Sequence, residues 1–273
     1  VTSYRHSSFG SYRQTYNTAI TSIMAVVKTH VKGVNSPDLF EFLTGTSLTA
    51  TFNTAGPVSS TCVSANDYCF TAGYTAASAE LRVRRSTNPL DPSAFDAHVA
   101  LRTVTGGSSA VQLVPYECNY ATYANDIGAL HSDSTSLFYK YYDSLTATWG
   151  ASETINTTGL AHVFNFRGTT TRERNAVVFW TDATTQTTLK YSVRSAGTAG
   201  TWSTPATAVT NLTSGSTYAY SCTANLGSDD KIILYYHNGT DIVYRIGTVT
   251  SAAISFGSEV ILANNSGILD LEQ

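Results

Sequence analysis

The chain has 273 residues, only 13% of them charged, and its 16 basic and 19 acidic side chains leave a formal charge of −3. That composition supplies no basic field for nucleic acid, and no apolar run reaches the length of a membrane-spanning helix. Seventeen Tyr and eleven Phe against one Met and six Pro favour pleated, half-buried surfaces over helices, so an all-β fold is expected.

The first 58 residues hold two apolar runs, SIMAVVKTH from Ser22 and LFEFLTGTSLTATF from Leu39, the second ending near an aromatic at Phe52. Ile20, Ile23, Met24, Val27 and Val31 also match the spacing of an amphipathic helix. The strand reading is preferred. A helix there would leave four full units plus a cap, or require strands from both chain ends to complete one unit.

Residues 59–104 offer TCVSA from Thr61, YCFTAGYT from Tyr68 and LRVRRSTNPLDPSAF from Leu81, ending at Phe95. Residues 105–157 offer ECNYA from Glu117, IGALHSD from Ile127 and LFYKYYDSLTATW from Leu137, ending at Trp149. Residues 158–210 offer HVFNFR from His162, AVVFWTD from Ala176 and LKYSVRSAGTAGTW from Leu189, followed by a closing strand in WSTPATAV. Residues 211–273 offer YSCTA from Tyr220, IILYYHNG from Ile232 and VYRIGTVTSAAISF from Val243.

The aromatics Phe52, Phe95, Trp149, Trp202 and Phe256 close Ser/Thr/Gly-rich turns at successive spacings of 43, 54, 53 and 54 residues. A four-stranded meander of that size has two faces to bury and cannot fold alone, so its copies must stack radially. The expected architecture is one domain, 1–273, forming a five-bladed β-propeller of four-stranded antiparallel blades of about 54 residues.

The turns at these aromatics resemble the Asp-box (BNR) repeat of sialidase-like propellers, Ser/Thr-x-Asp-x-Gly-x-x-Trp/Phe between the third and fourth strands. Trp202 has Ser195 at the Ser position, with Gly197 where the Asp stands and Ala199 where the Gly stands. Phe256 and Trp149 keep little beyond the aromatic. The short aromatic-rich blades look equally like those of propeller lectins. The Asp box is a structural device in that family, so the resemblance implies a fold and not an activity.

In a propeller the loops after the second strands open on the usual ligand face. Aligned second strands give three columns there: Lys28, Gly73, His131, Trp180, Tyr236; Thr29, Tyr74, Ser132, Thr181, His237; and His30, Thr75, Asp133, Asp182, Asn238. Stacking rings beside short polar groups suit sugar recognition, which nominates Trp180, Tyr236, His131, His237, Tyr74 and His30 as ligand-binding residues. The competing reading makes Trp180 and Tyr236 packing residues between blades. The three histidines do not share a column, and no metal site is expected from them.

Glycoside hydrolysis needs two carboxyl groups flanking the scissile bond. Asp133 and Asp182 on adjacent units, with Glu117, are the candidates, although aspartates at strand ends are also common turn formers. Sialidase resemblance would further imply three arginines on a substrate carboxylate and a Tyr nucleophile assisted by Glu. Arg82, Arg84, Arg85, Arg102, Arg167, Arg172, Arg174, Arg194 and Arg245 do not recur at matching unit positions, which favours a solvated surface role.

Cys62 and Cys69 flank a short turn and are the expected hairpin disulfide, while Cys118 and Cys222 read as small buried hydrophobes. Four sequons, at Asn156, Asn211, Asn238 and Asn264, are candidate glycosylation sites. The N-terminus lacks the order of a signal peptide, as expected of a mature or trimmed product. No nucleotide, serine-hydrolase, zincin or EF-hand motif is present, and no cofactor is expected.

Three functions fit: a non-catalytic glycan-binding module, a glycosidase, or an architectural subunit of a virion, appendage or filament. The expected setting is extracellular, on a cell or virion surface. Glycan, another surface protein or further copies of the chain are the partner classes, without nucleic acid or membrane insertion.

Overall fold

The strands Ile127–Ser132 and Ala176–Thr181 are buried at every position, which requires cover on both faces of their sheets. The structure, a computed structural model, describes residues 27–28, 40–41 and 60–264, apart from the loop segments 65–67, 76–78, 89–90, 105–108, 117–124, 134–135, 161–164, 214–219 and 225–229 and residues 158, 183 and 198. Within these residues lie strands and turns and no helix.

The strands β1 (Val27–Lys28) and β2 (Phe40–Glu41) pair antiparallel with Val27 opposite Glu41. That places Val27 and Lys28 in a strand and not in the competing helix. The rest of this unit, His30 and Phe52 included, lies outside the described residues.

Four antiparallel meanders follow. Sheet I contains β3 (Ser60–Val63), β4 (Cys69–Thr75), β5 (Glu80–Asn88), β6 (Asp91–Phe95) and β7 (Val99–Thr103). Sheet II contains β8 (Val111–Pro115), β9 (Ile127–Ser132), β10 (Leu137–Asp143), β11 (Thr148–Trp149) and β12 (Glu153–Asn156). Sheet III contains β13 (Phe166–Thr170), β14 (Ala176–Thr181), β15 (Leu189–Arg194) and β16 (Ala206–Val209). Sheet IV contains β17 (Tyr220–Ala224), β18 (Lys231–His237), β19 (Asp241–Val249), β20 (Ile254–Phe256) and β21 (Val260–Asn264).

The outer strand is divided in every sheet. One short piece carries the turn aromatic and pairs with the end of the third strand, and a second piece pairs with its beginning: β6 and β7 on β5, β11 and β12 on β10, Trp202 and β16 on β15, β20 and β21 on β19. After each aromatic the next N–H returns to the third strand. Asp96, Gly150, Ser203 and Gly257 donate to the carbonyls of Arg85, Tyr141, Val193 and Ile246 at 2.8, 2.8, 2.8 and 2.9 Å. The four turns are one structure repeated.

The innermost strands β3, β8, β13 and β17 lie side by side in that order, as propeller blades do around their axis. Apolar clusters fill the seams between consecutive sheets. Phe70, Tyr74, Leu81 and Val83 of sheet I meet Leu113, Ile127, Ala129 and Tyr142 of sheet II. Leu130, Leu137 and Tyr139 of sheet II meet Phe166, Val178 and Trp180 of sheet III. Val177, Phe179 and Tyr191 of sheet III meet Tyr220, Ile232, Leu234 and Tyr236 of sheet IV.

Several expectations change. The inner strand of sheet II is Val111–Pro115, with Val111 opposite His131, and not the run from Glu117; Glu117 and Cys118 lie outside the described residues. Sheet IV is complete within residues 220–264, so no strand from the N-terminus is needed to finish it. The Cys62–Cys69 disulfide is absent and Cys69 is a free, buried thiol. The register agrees with this: Cys62 pairs with Phe70 and Val63 with Cys69, so the two cysteines are not directly opposed across the hairpin.

Candidate functional site

The turns after the second strands form the end of the molecule that the sequence marked as a rim. Successive residues of a strand point to opposite faces, so the first two columns enter different seams. His131, Trp180 and Tyr236 face the preceding sheet, and Tyr74 faces the following one. Trp180 is 2% exposed and Tyr236 and His131 are 0% exposed, which leaves no ring face for a ligand. Tyr74 and His237 are buried as well. Trp180, Tyr236, His131 and Tyr74 are therefore seam-packing residues, each turned toward a neighbouring sheet, while His30 lies outside the described residues.

The polar atoms of these rings are largely spoken for. The Tyr236 hydroxyl donates to Glu259, and burial, followed by that bond, raises its phenol well above the ordinary range. Tyr236 is 0% exposed, so the phenol of this Tyr–Glu pair is closed off from a ligand. His237 Nδ1 accepts from the Gly239 N–H at 3.1 Å and meets the Thr213 hydroxyl. His131 stacks on Phe138 with ring centroids 5.7 Å apart, and its Nδ1 meets the Ala129 carbonyl at 3.1 Å. Its Nε2 is buried and has no hydrogen-bond partner among the described residues.

The third column has a single role in three sheets, as turn initiator. Asp133 Oδ1 accepts from the Ser136 N–H at 3.0 Å, Asp182 Oδ1 accepts from the N–H and hydroxyl of Thr184 at 2.9 and 2.6 Å, and Asn238 Oδ1 accepts from the N–H groups of Thr240 and Asp241 at 3.1 and 2.9 Å. Such short polar side chains mimic a backbone turn. Asp133 is in addition bound by Arg102 at 2.7 Å across the seam between sheets I and II. The Thr184 hydroxyl, then its N–H, hold the Asp182 carboxyl below its usual range. The Asp182 carboxylate is thus not placed as a proton donor, which needs a raised pKa.

Burial pushes the thiol of Cys69 up to about 11 and that of Cys222 up to about 12, which suits inert packing residues. Of the sequons, Asn211 is exposed, whereas Asn156 is buried and its amide donates to the Gly159 carbonyl at 3.3 Å. Asn238 is half-buried and occupied by its turn; the Asn264 side chain lies outside the described residues. The described residues contain no His/Cys/Asp/Glu cluster able to hold a metal ion.

Sequence reasoning missed the most developed polar network, at the opposite end of the seam between sheets II and III. Arg194 is wholly buried and binds Glu153 through Nε and Nη2, both at 2.8 Å, while Nη1 donates to the Gly197 carbonyl at 2.7 Å. The Tyr116 and Tyr139 hydroxyls share a hydrogen bond of 2.6 Å beside it. Asp126, also buried, receives the Tyr141 hydroxyl and the Ser144 N–H and hydroxyl. Arg194 and Glu153 are 41 residues apart on different sheets, and no periodic signal links them.

No protein-family profile and no curated protein matches the sequence. Among solved structures the fold resembles NanB sialidase from Streptococcus pneumoniae at 15% identity and a TM-score of 0.43, over 68% of this chain and 29% of that one. It also resembles the polysaccharide lyase Uly1 at 11% identity and a TM-score of 0.44, over 86% and 56% of the two chains. A protein of unknown function from Dyadobacter fermentans matches at 13% identity and a TM-score of 0.49, over 94% and 77%. The chain thus spans less than a third of the sialidase and little more than half of the lyase. The resemblance is loosely sialidase-like, at low identity, and identifies no family.

Proposed function

We propose that the chain is a non-catalytic β-propeller of five four-stranded units that presents a hydroxyl- and amide-rich rim to glycan on a cell or virion surface. The observation that carries this reading is the commitment of Asp133 and Asp182 to turns and, for Asp133, to Arg102. Among the described residues, Thr185, Gln186, Thr210, Asn211 and Thr240 are exposed at that end, beside one exposed carboxylate, Glu259, which is bound to Tyr236 and Asn238. The Leu212 N–H donates to the Thr187 carbonyl at 3.0 Å and the Thr213 N–H to the His237 carbonyl at 2.9 Å, which brings these loops together. Hydroxyls and amides both donate and accept, as recognition of a polyol requires.

Five units are supported at the far face of sheet IV. Ile233, Tyr235 and Tyr244 are half-buried there, and Ile246 and Val260 are 40% and 44% exposed. Such an apolar face needs cover. The 59 residues before β3 amount to one further unit and include the β1–β2 pair.

A glycan array tests the function. The folded chain is expected to bind, and Gln186→Ala combined with Asn211→Ala and Thr240→Ala is expected to weaken binding about tenfold, the loss of a few net hydrogen bonds. Cleavage of aryl glycosides that disappears in Asp133→Asn or Asp182→Asn would overturn the non-catalytic reading. Absence of glycan binding together with a defined oligomer in light scattering would favour the architectural role.

A further inference from the structure

We infer that the seam between sheets I and II is an acid-sensitive release built around His131, such that a proton taken up there loosens sheet I from sheet II while the other two described seams hold. The corresponding positions of those seams carry Trp180 and Tyr236, rings that fill the space without accepting a proton. Here an imidazole of the same strand position is fully buried and stacked on Phe138. With Nδ1 bonded to the Ala129 carbonyl, the neutral ring presents Nε2 as a buried acceptor that meets no donor among the described residues. A proton on Nε2 would create a cation with no acceptor.

The surroundings oppose that cation. From sheet I, β7 brings Arg102, whose guanidinium carbon lies 3.6 Å from the centre of the Phe138 ring. From sheet II, β10 brings Lys140, whose ammonium donates to the Ala100 carbonyl at 2.9 Å across the same seam. The neighbouring carboxylate, Asp133, is already bound to Arg102 at 2.7 Å, and β4 contributes the phenol of Tyr74. Burial lowers the imidazole from 6.5 to about 4, the Ala129 carbonyl working against this and Arg102 and Lys140 adding to it. Between those values the unfolded chain binds the proton and the folded chain does not. Stability from this site is therefore complete above about pH 6.5 and lost as pH falls toward about 4.

The device is tested by urea unfolding of the wild type and His131→Phe from pH 7.5 to 4, together with hydrogen exchange of the wild type. The wild-type folding constant is expected to fall on the order of 100-fold more than that of the variant over this range. Exchange in acid is expected to rise first at Ala72, Val83 and Ala129 and later at Phe179 and Leu234. Identical pH profiles for the two proteins, or exchange rising equally in every seam, would overturn the inference. Where His131→Phe fails to fold, titration of the wild-type imidazole by NMR decides: a midpoint near 6.5 rejects the device and one near 4 supports it.

Discussion

Arg194 keeps a guanidinium entirely out of water, and the geometry shows what makes this tolerable. Every one of its nitrogens has an acceptor, two from the Glu153 carboxylate and the third from backbone carbonyls that include Gly197. Burial alone opposes the charge, and the bond to Glu153 together with the neighbouring Tyr139 and Tyr116 outweighs it, so the group stays firmly protonated. Breaking such a pair strands the buried member, which costs about 3 kcal/mol. Glu153→Gln is therefore expected to lower the urea midpoint markedly. Replacing both partners, Arg194→Met with Glu153→Gln, is expected to restore much of the loss, because no buried charge remains. Gly197 has a local reason to depart from the Asp-box pattern: its φ of 94° lies in the left-handed region that glycine enters without strain.

At the scale of the element, the recurring aromatic acts on the sheet before its own. Trp149 contacts Phe70 of sheet I, Trp202 contacts Tyr139 of sheet II, and Phe256 contacts Phe179 and Tyr191 of sheet III, with ring centroids 5.3 to 6.5 Å apart. The turn hydrogen bond fixes the backbone and the ring then reaches across the seam. The aromatic spacing was legible because turn length and strand length set it locally. Its packing partner was not, since that residue lies one unit away in sequence. Trp202→Ala and Phe256→Ala each remove a half-buried ring from such a seam, with an expected cost of about 2 to 3 kcal/mol in thermal or urea unfolding. Equal costs at the two sites would follow from equivalent positions, and a negligible cost at either would contradict them. The same locality explains where the inner strands were misplaced: in sheet II the periodic apolar run Val111–Val114 precedes the aromatic-rich segment that attracted the assignment.

For the whole molecule, the sheets are contiguous in sequence, but each is stabilised only through its neighbours. The two end sheets of the described arc are thus the vulnerable ones. If the proposed fifth unit covers the apolar far face of sheet IV and the outer face of sheet I, a chain beginning at Ser60 is expected to lose cooperative unfolding or to aggregate. Addition of residues 1–59 as a separate fragment is expected to restore a single sharp transition in calorimetry, and a truncated chain as stable as the full one would reject the five-unit ring.

The all-β class, the four-stranded unit and its spacing followed from the sequence alone, because alternation, turn residues and a recurring aromatic act over a few residues of chain. The same local logic identified Asp133, Asp182 and Asn238 as one structural position. What the tertiary structure decided was the direction each side chain faces once sheets stack. A one-residue step along a strand exchanges one seam for the other, and burial on both faces turned a rim of apparent ligand rings into packing. The Arg194–Glu153 pair, the Arg102–Asp133 bridge and the unpaired nitrogen of His131 likewise exist only where separate sheets meet, at contacts that no spacing within a single unit encodes.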